Sequence, residues 1–266
     1  MLATAIASLD EISGHRALLT LGAGGVGFKQ LHIERNHPNT AIREAFIIIK
    51  GLLSGEEVSF EGKMFKTTKA KINFPTSRNI PMFIASRSPM NLELAGELAD
   101  GVLLASYAST EQVAYAVEKV KAGAIKAKRN FEDIKLIAWV YTALSENSKE
   151  AINNVRPFVT QALLNTSPDM YPVMFKGDPG LQKFVETCKA TGNTTLANED
   201  RRFLTDDVIK QFSVAGTPQE CVEKIKSINK LGVNTIWIRP FVAPFSEKDH
   251  EKVFIPFAEK VMPQIR

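Results

Sequence analysis

Three places in the 266-residue sequence bring together residue types able to hold a ligand. The first is Gly22-Ala23-Gly24-Gly25-Val26-Gly27, directly after the short apolar run Ala17–Leu21. Small residues at a strand end let a flat ring or a phosphate approach the backbone. A tight turn is the plainer use of the same residues. The order also matches G-x-G-x-x-G, but that fingerprint needs a helix opening at once and an acidic residue about 20 positions on. Here 28–39 reads as a polar, Pro-containing loop with a helix starting near Thr40, which disfavours the dinucleotide reading. The second place is Ser86-Arg87-Ser88-Pro89, where a strand hands over to a helix. Unpaired N–H groups and the helix dipole favour an anion there, and two hydroxyls and a guanidinium add donors. Plain capping of the helix by Ser88 is the alternative. The third is Arg239-Pro240-Phe241, after the last predicted strand, where Arg239 either meets a substrate carboxylate or is a solvated charge.

Other chemistries find no support. The sequence shows no Ser/His/Asp or Cys/His set, no P-loop Lys and no well-placed carboxylate pair. His15, His32, His37 and His250 lack metal-ligand spacing, so no metal is expected. Cys188 and Cys221 form no Cys-x-x-Cys pair, which fits a reducing compartment such as the cytoplasm. Net charge is +4 with the basic residues scattered, so no nucleic-acid stripe is present. No apolar run is long enough for a bilayer, and Met1–Ile12 carries Asp10 and Glu11, unlike a signal peptide. What is left is binding of a phosphorylated cofactor that itself carries the hard chemistry.

The elements that must position these residues alternate in type. Buried strands are predicted at 17–21, 81–85, 101–105, 134–144 and 233–238. Between them lie helices over Leu2–Ile12, Thr40–Leu53, from Ser88 to Leu98, and from Ser109, where Gln112 completes capping-box spacing. Val58–Lys66 reads as a hairpin turning at Glu61-Gly62. Residues 149–212, with their Pro and Gly breaks, read as an insertion of short helices. Thr217-Pro218-Gln219-Glu220 is a capping box opening another helix, and a final helix covers Ser246–Val261. Strands alternating with amphipathic helices imply an α/β fold with a parallel sheet in a single domain, 1–266. A closed barrel of this kind needs eight strands, and about five are visible.

Several of these segments resemble the luciferase-like flavin and deazaflavin oxidoreductases. They are Leu9-Asp10-Glu11-Ile12-Ser13-Gly14 with Arg16, Leu21–Gly25, Arg43-Glu44, Leu52–Gly55 and the Phe60–Phe65 hairpin. Ala85–Pro89 followed by Leu92–Gly101 is the most specific stretch and is similar to the methylenetetrahydromethanopterin reductase branch. Ala215–Pro218 with Gly232-Val233 completes the pattern.

The resemblance implies a (β/α)8 TIM barrel of the bacterial luciferase-like type with a helical insertion, forming homo-oligomers. It implies an oxidoreductase that uses coenzyme F420 and transfers a hydride between the reduced deazaflavin and a small-molecule substrate. The cofactor phosphate would sit near Ser86, Arg87 and Ser88, and the ring system near Gly22, Ala23, Gly24 and Gly25. An FMN-dependent monooxygenase, or a catalytically inactive cofactor-binding subunit, is the alternative. There are departures: His15 and Ser88 stand where the family usually has Gly, and Met90 replaces a frequent Lys. The three strand–helix units with which family members begin, and the acidic residue usually given a catalytic role, have no match here, so no catalytic residue is named. An internal start codon in a longer gene, or a fragment, is expected; a truncated chain that pairs with another subunit is the alternative.

Overall fold

The computed structural model describes residues 1–24, 28, 31–34, 36–74, 76, 78–105, 108–192, 202–241 and 250–265. The chain falls into two compact units, one of residues 1–103 and 119–135, the other of 104–118 and 136–266.

The first unit opens with helix α1 (Leu2–Ile12) and strand β1 (Leu19–Gly22), followed by α2 (Pro38–Leu53), a hairpin of β2 (Val58–Glu61) and β3 (Lys66–Ala70), strand β4 (Met82–Ser86), α3 (Pro89–Leu98) and the start of β5 (Gly101–Ala105). The last turns of α4 (Thr110–Lys126) also belong to it. β4 lies between β1 and β5 and pairs with β1 in parallel, Leu19 opposite Met82 and Gly22 opposite Ala85. Met82, Phe83, Ile84, Val102 and Leu103 are buried, the run of apolar residues expected of a strand covered on both faces. β1 was also expected to be buried; all its residues are at least partly exposed, because among the described residues it pairs on one side only.

Buried charges tie this unit together. Asp10, on α1, accepts hydrogen bonds from Arg78 (Nη2, 2.6 Å), from the Ala17 N–H (3.1 Å) and from His15 Nδ1 (3.1 Å). The Arg78 guanidinium also reaches the Ala17 carbonyl, so α1, the approach to β1 and a segment 68 residues away meet at one carboxylate. Arg78 foremost, with His15 and the Ala17 N–H, overrides the cost of burial and holds Asp10 down at about 2. His15 stands at φ +62°, a left-handed conformation natural to the Gly that relatives were expected to carry. Glu44, on α2, accepts from three successive N–H groups of the hairpin turn, Lys63 (2.8 Å), Met64 (2.8 Å) and Phe65 (2.9 Å). Burial would raise this carboxyl; the three N–H groups keep it below the ordinary carboxylate range. Gly62 has to lack a side chain, since a Cβ there would lie 2.4 Å from the Glu44 carboxylate. The hairpin extends past the predicted Lys66, to Ala70.

α3 lies against α4 with backbone touching backbone. A Cβ on Gly96 would fall 2.1 Å from the Val120 carbonyl oxygen, and one on Gly123 1.9 Å from that of Glu93. Glu97 then accepts from both Arg43 and Lys126, and burial, which would raise its pKa, is outweighed by these two cations. Asp100 accepts from the Met82 N–H at the start of β4 (2.9 Å).

The second unit contains β6 (Lys135–Leu144) from its second residue on, α5 (Ser148–Leu164), α6 (Pro179–Thr191), α7 (Asp206–Gln211), β7 (Val214–Gly216), α8 (Pro218–Asn229), β8 (Thr235–Pro240) and α9 (Glu251–Pro256), which runs on through a π-helical turn, Phe257–Val261. β6 pairs in parallel with both β7 and β8. The segment read as an insertion of short helices contains the 17-residue α5 and the 13-residue α6, with 193–201 outside the described residues, and Arg156 on α5 anchors α7 through the Leu204 carbonyl and Asp206. The Thr217–Glu220 capping box is present in full. The Ser109–Gln112 pair is only half formed. Ser109 Oγ accepts from the Gln112 N–H, while the Gln112 amide is buried with no hydrogen-bond partner among the described residues. Residues 242–249, the start of the predicted final helix, lie outside the described residues.

Two outcomes test this packing. Gly96→Ala and Gly123→Ala should each lower unfolding free energy by about 3 kcal/mol, because backbone has to move to admit the methyl group. Gly180→Ala, whose Cβ would meet nothing closer than 3.4 Å, should leave stability unchanged or raised in the same denaturant titrations. For Asp10 the folded pKa lies below the ordinary 3.8, so its contribution is complete above that value and is lost as pH falls through about 2. Thermal midpoints measured from pH 5 to 2 should therefore fall less steeply in Asp10→Asn than in the parent, from a lower starting value.

Candidate cofactor site

The parallel register of β1 and β4 brings the first two candidate segments together. Gly22 is opposite Ala85, so the chain leaving β1 (Gly22, Ala23, Gly24) and the chain leaving β4 (Ser86, Arg87, Ser88) emerge side by side at the carboxyl end of the same strand pair. That is where ligands collect in strand–helix folds. Gly25 lies outside the described residues. Gly24 has φ +66°, and a Cβ on it would fall 2.2 Å from the Phe28 ring, so this glycine is required by the turn itself. Gly22 has only ordinary contacts around its missing Cβ. Next to these residues is a cavity of about 330 Å³, lined by Leu21, Gly22, Ala23, Phe28, Ile42 and Phe65 among others.

At the other segment the expected cap is corrected. Ser88 occupies the N-cap position of α3 with extended backbone (φ −72°, ψ 134°), but its hydroxyl makes no capping hydrogen bond. Its own N–H donates instead to Ser86 Oγ (3.0 Å), and its carbonyl accepts from Leu92. The Ser86 side chain thus closes the turn between strand and helix, which explains its burial. Pro89 at the first helical position has no N–H to donate. The N–H groups of Met90 and Asn91 then remain at the positive end of a ten-residue helix with no side-chain cap. Asn91 Oδ1 is taken by Asn39 Nδ2 (2.8 Å), which links the start of α3 to the start of α2.

Arg239 is not after the last strand, as expected, but inside it. It lies over the rings of Trp139 (5.5 Å), Tyr141 (6.0 Å) and Phe241 (5.2 Å) in the second unit. This grouping was not anticipated. The signal lay in the spacing, because Trp139 and Tyr141, like Trp237 and Arg239, are two apart and so share a face of their strands.

Among the described residues no cluster of His, Cys, Asp and Glu could hold a metal, and no helix is long and apolar enough to cross a membrane. Both cysteines are buried and neither is in a disulfide among the described residues, and burial pushes the Cys221 thiol up to about 12. Among the described residues the arrangement presents the uncapped N–H groups of a helix start near an apolar cavity.

The sequence profile of the family described as Luciferase-like monooxygenase matches residues 1–235, and the chain belongs to that family. Over 92% of its length it is 32% identical to the 5,10-methylenetetrahydromethanopterin reductase of Methanolobus tindarius, covering 74% of that protein. It is 30% identical to the reductase of the same name from Archaeoglobus fulgidus, over 99% of this chain and 78% of the relative. The solved structure of the coenzyme F420-dependent tetrahydromethanopterin reductase of Methanopyrus kandleri superposes on the full chain with a TM-score of 0.83 at 26% identity, with 79% of that structure covered. The fold is therefore the α/β, parallel-sheet fold of the luciferase-like barrel proteins.

Because neither cysteine is accessible, a thiol reagent such as 5,5′-dithiobis(2-nitrobenzoate) at pH 8 should titrate almost no thiol in the native protein. The full complement should appear once denaturant is added.

Proposed function

We propose that the chain is a coenzyme F420-dependent oxidoreductase of the methylenetetrahydromethanopterin reductase type, transferring a hydride between the reduced deazaflavin and a small-molecule substrate. Its likeness to F420-dependent reductases, in sequence and in fold, carries this reading. The chain's own residues fit such a group. The uncapped start of α3, with the Met90 and Asn91 N–H groups and the Ser88 hydroxyl, suits the cofactor's phosphate. Arg87 supplies positive charge beside it. Gly22 leaves room for a ring against the backbone, with Ala23, Gly24 and Gly25 following it in sequence, and the neighbouring cavity is lined mainly by apolar residues. The bound deazaflavin supplies the hydride; the protein's part is to grip the charged tail and orient the ring. The protein acts in the cytoplasm as a homo-oligomer, with its two thiols reduced.

Ser88→Asp tests the phosphate position. An Asp is a good N-cap and should leave the thermal midpoint unchanged or raised. The same carboxylate would repel a phosphate, so fluorescence titration should show coenzyme F420 bound about tenfold more weakly. Unchanged affinity would place the phosphate elsewhere. Tight binding of FMN with no binding of the deazaflavin would replace this reading with that of a flavin-dependent monooxygenase.

A further inference from the structure

One lysine of the second unit is placed to react rather than to pair. Lys224, on α8, lines a cavity of about 320 Å³ together with Lys210 and Gln211 of α7, Ser213, and Glu220 and Glu223 of α8. Gln211 and Ser213 precede β7, so the cavity lies toward the amino end of that strand, not at the end where ligands collect in strand–helix folds. Lys224 is half-buried, and its Nζ donates to the carbonyl of Gln211, the last residue of α7 (3.1 Å). The charges around it are already engaged. Lys210 pairs with Glu220 at 2.7 Å, and Glu223 accepts from Gln219 at 2.8 Å. Glu111, in the first turn of α4, attracts the ammonium, yet among the described residues no carboxylate lies within ion-pair distance of Lys224.

A lysine serving only to cap a helix C-terminus gains from keeping its charge. Here burial prevails over Glu111 and over that cap, and pushes the Lys224 ammonium down to about 8. At pH 7 roughly a tenth of such an amine is neutral and nucleophilic, against fewer than about one in a thousand of an ordinary lysine near 10.4. We propose that Lys224 is an acylation site, its amine attacking the carbonyl carbon of a small acyl phosphate admitted to this cavity. The Nζ lone pair forms the new N–C bond. The C–O bond to the phosphate breaks with its electron pair, inorganic phosphate leaves, and the amine gives up one proton to solvent. The product is a neutral amide with one N–H, enough to keep the bond to the Gln211 carbonyl, and no salt bridge is lost with the charge. This goes beyond the deazaflavin assignment and shares no residue with it, so its test contains no cofactor.

The native protein is treated with acetyl phosphate from pH 6 to 10, and acetylation at each lysine is followed by mass spectrometry of chymotryptic peptides. Lys149, Lys176 and Lys226 are exposed and serve as references in the same sample. Lower basicity takes back part of the gain in neutral amine, as it does for thiolates, so at pH 7 Lys224 should react about tenfold faster than the references. Its rate should level off above about pH 8, while theirs go on rising with pH. In guanidinium chloride, which removes the cavity, Lys224 should react like the others. Acetylation of native Lys224 no faster than the references, a rate still climbing at pH 10, or an advantage that persists in denaturant would each overturn the assignment.

Discussion

The placement of α3 is the constraint on which the candidate cofactor site depends. Two glycines, Gly96 and Gly123, let α3 and α4 approach until backbone meets backbone, and no larger residue fits at either position. Such contact leaves little freedom to slide or rotate. Glu97, gripped by Arg43 from α2 and Lys126 from α4, fixes the same turn of the helix electrostatically. With its C-terminal half held there, the N-terminal end of α3 is presented beside the strand end occupied by Gly22. Asp100 completes the frame by accepting the Met82 N–H, so the chain leaving α3 is tied back to the strand that precedes it.

Several of the recognisable sequence motifs hold this frame together. Asp10 gathers α1, the approach to β1 and Arg78. Glu44 organises a hairpin turn by accepting its N–H groups, and Gly62 is small because that carboxylate sits against it. The stretch Leu92–Gly101, which with Ala85–Pro89 makes the most specific part of the resemblance, contains Gly96, Glu97 and Asp100, all three with packing or anchoring roles, and Gly101, whose missing Cβ makes room for the Phe83 ring. A charge buried in a protein has to be paired or hydrogen-bonded. Positions of that kind leave distinct residues in a sequence, whereas a cofactor can be bound largely through backbone N–H groups that leave hardly any.

That difference sets what could be read from the sequence. All five predicted strands are present, displaced by at most two residues, because continuous apolar runs such as Met82–Ile84 have few alternatives. The Thr217 capping box was legible because cap, Pro and Glu are adjacent in sequence. Features made by distant partners were not. Nothing near Asp10 announces Arg78, and nothing near Ser88 shows that its N–H turns back to Ser86 while its hydroxyl caps nothing. The left-handed conformations of His15 and His37 were hidden behind residues that do not favour them. Arg239 was noticed singly, yet its aromatic surroundings required the pairing of β6 with β8 to be known.

The central claim is that an anionic cofactor tail docks on the uncapped start of α3, next to the strand end at Gly22. A crystal structure of the protein with coenzyme F420 examines it directly. The account predicts phosphate oxygens about 3 Å from the N–H groups of Met90 and Asn91, with the ring system near Gly22 and Ala23. A bound cofactor whose phosphate lies elsewhere, with that helix start in contact with solvent alone, would contradict it.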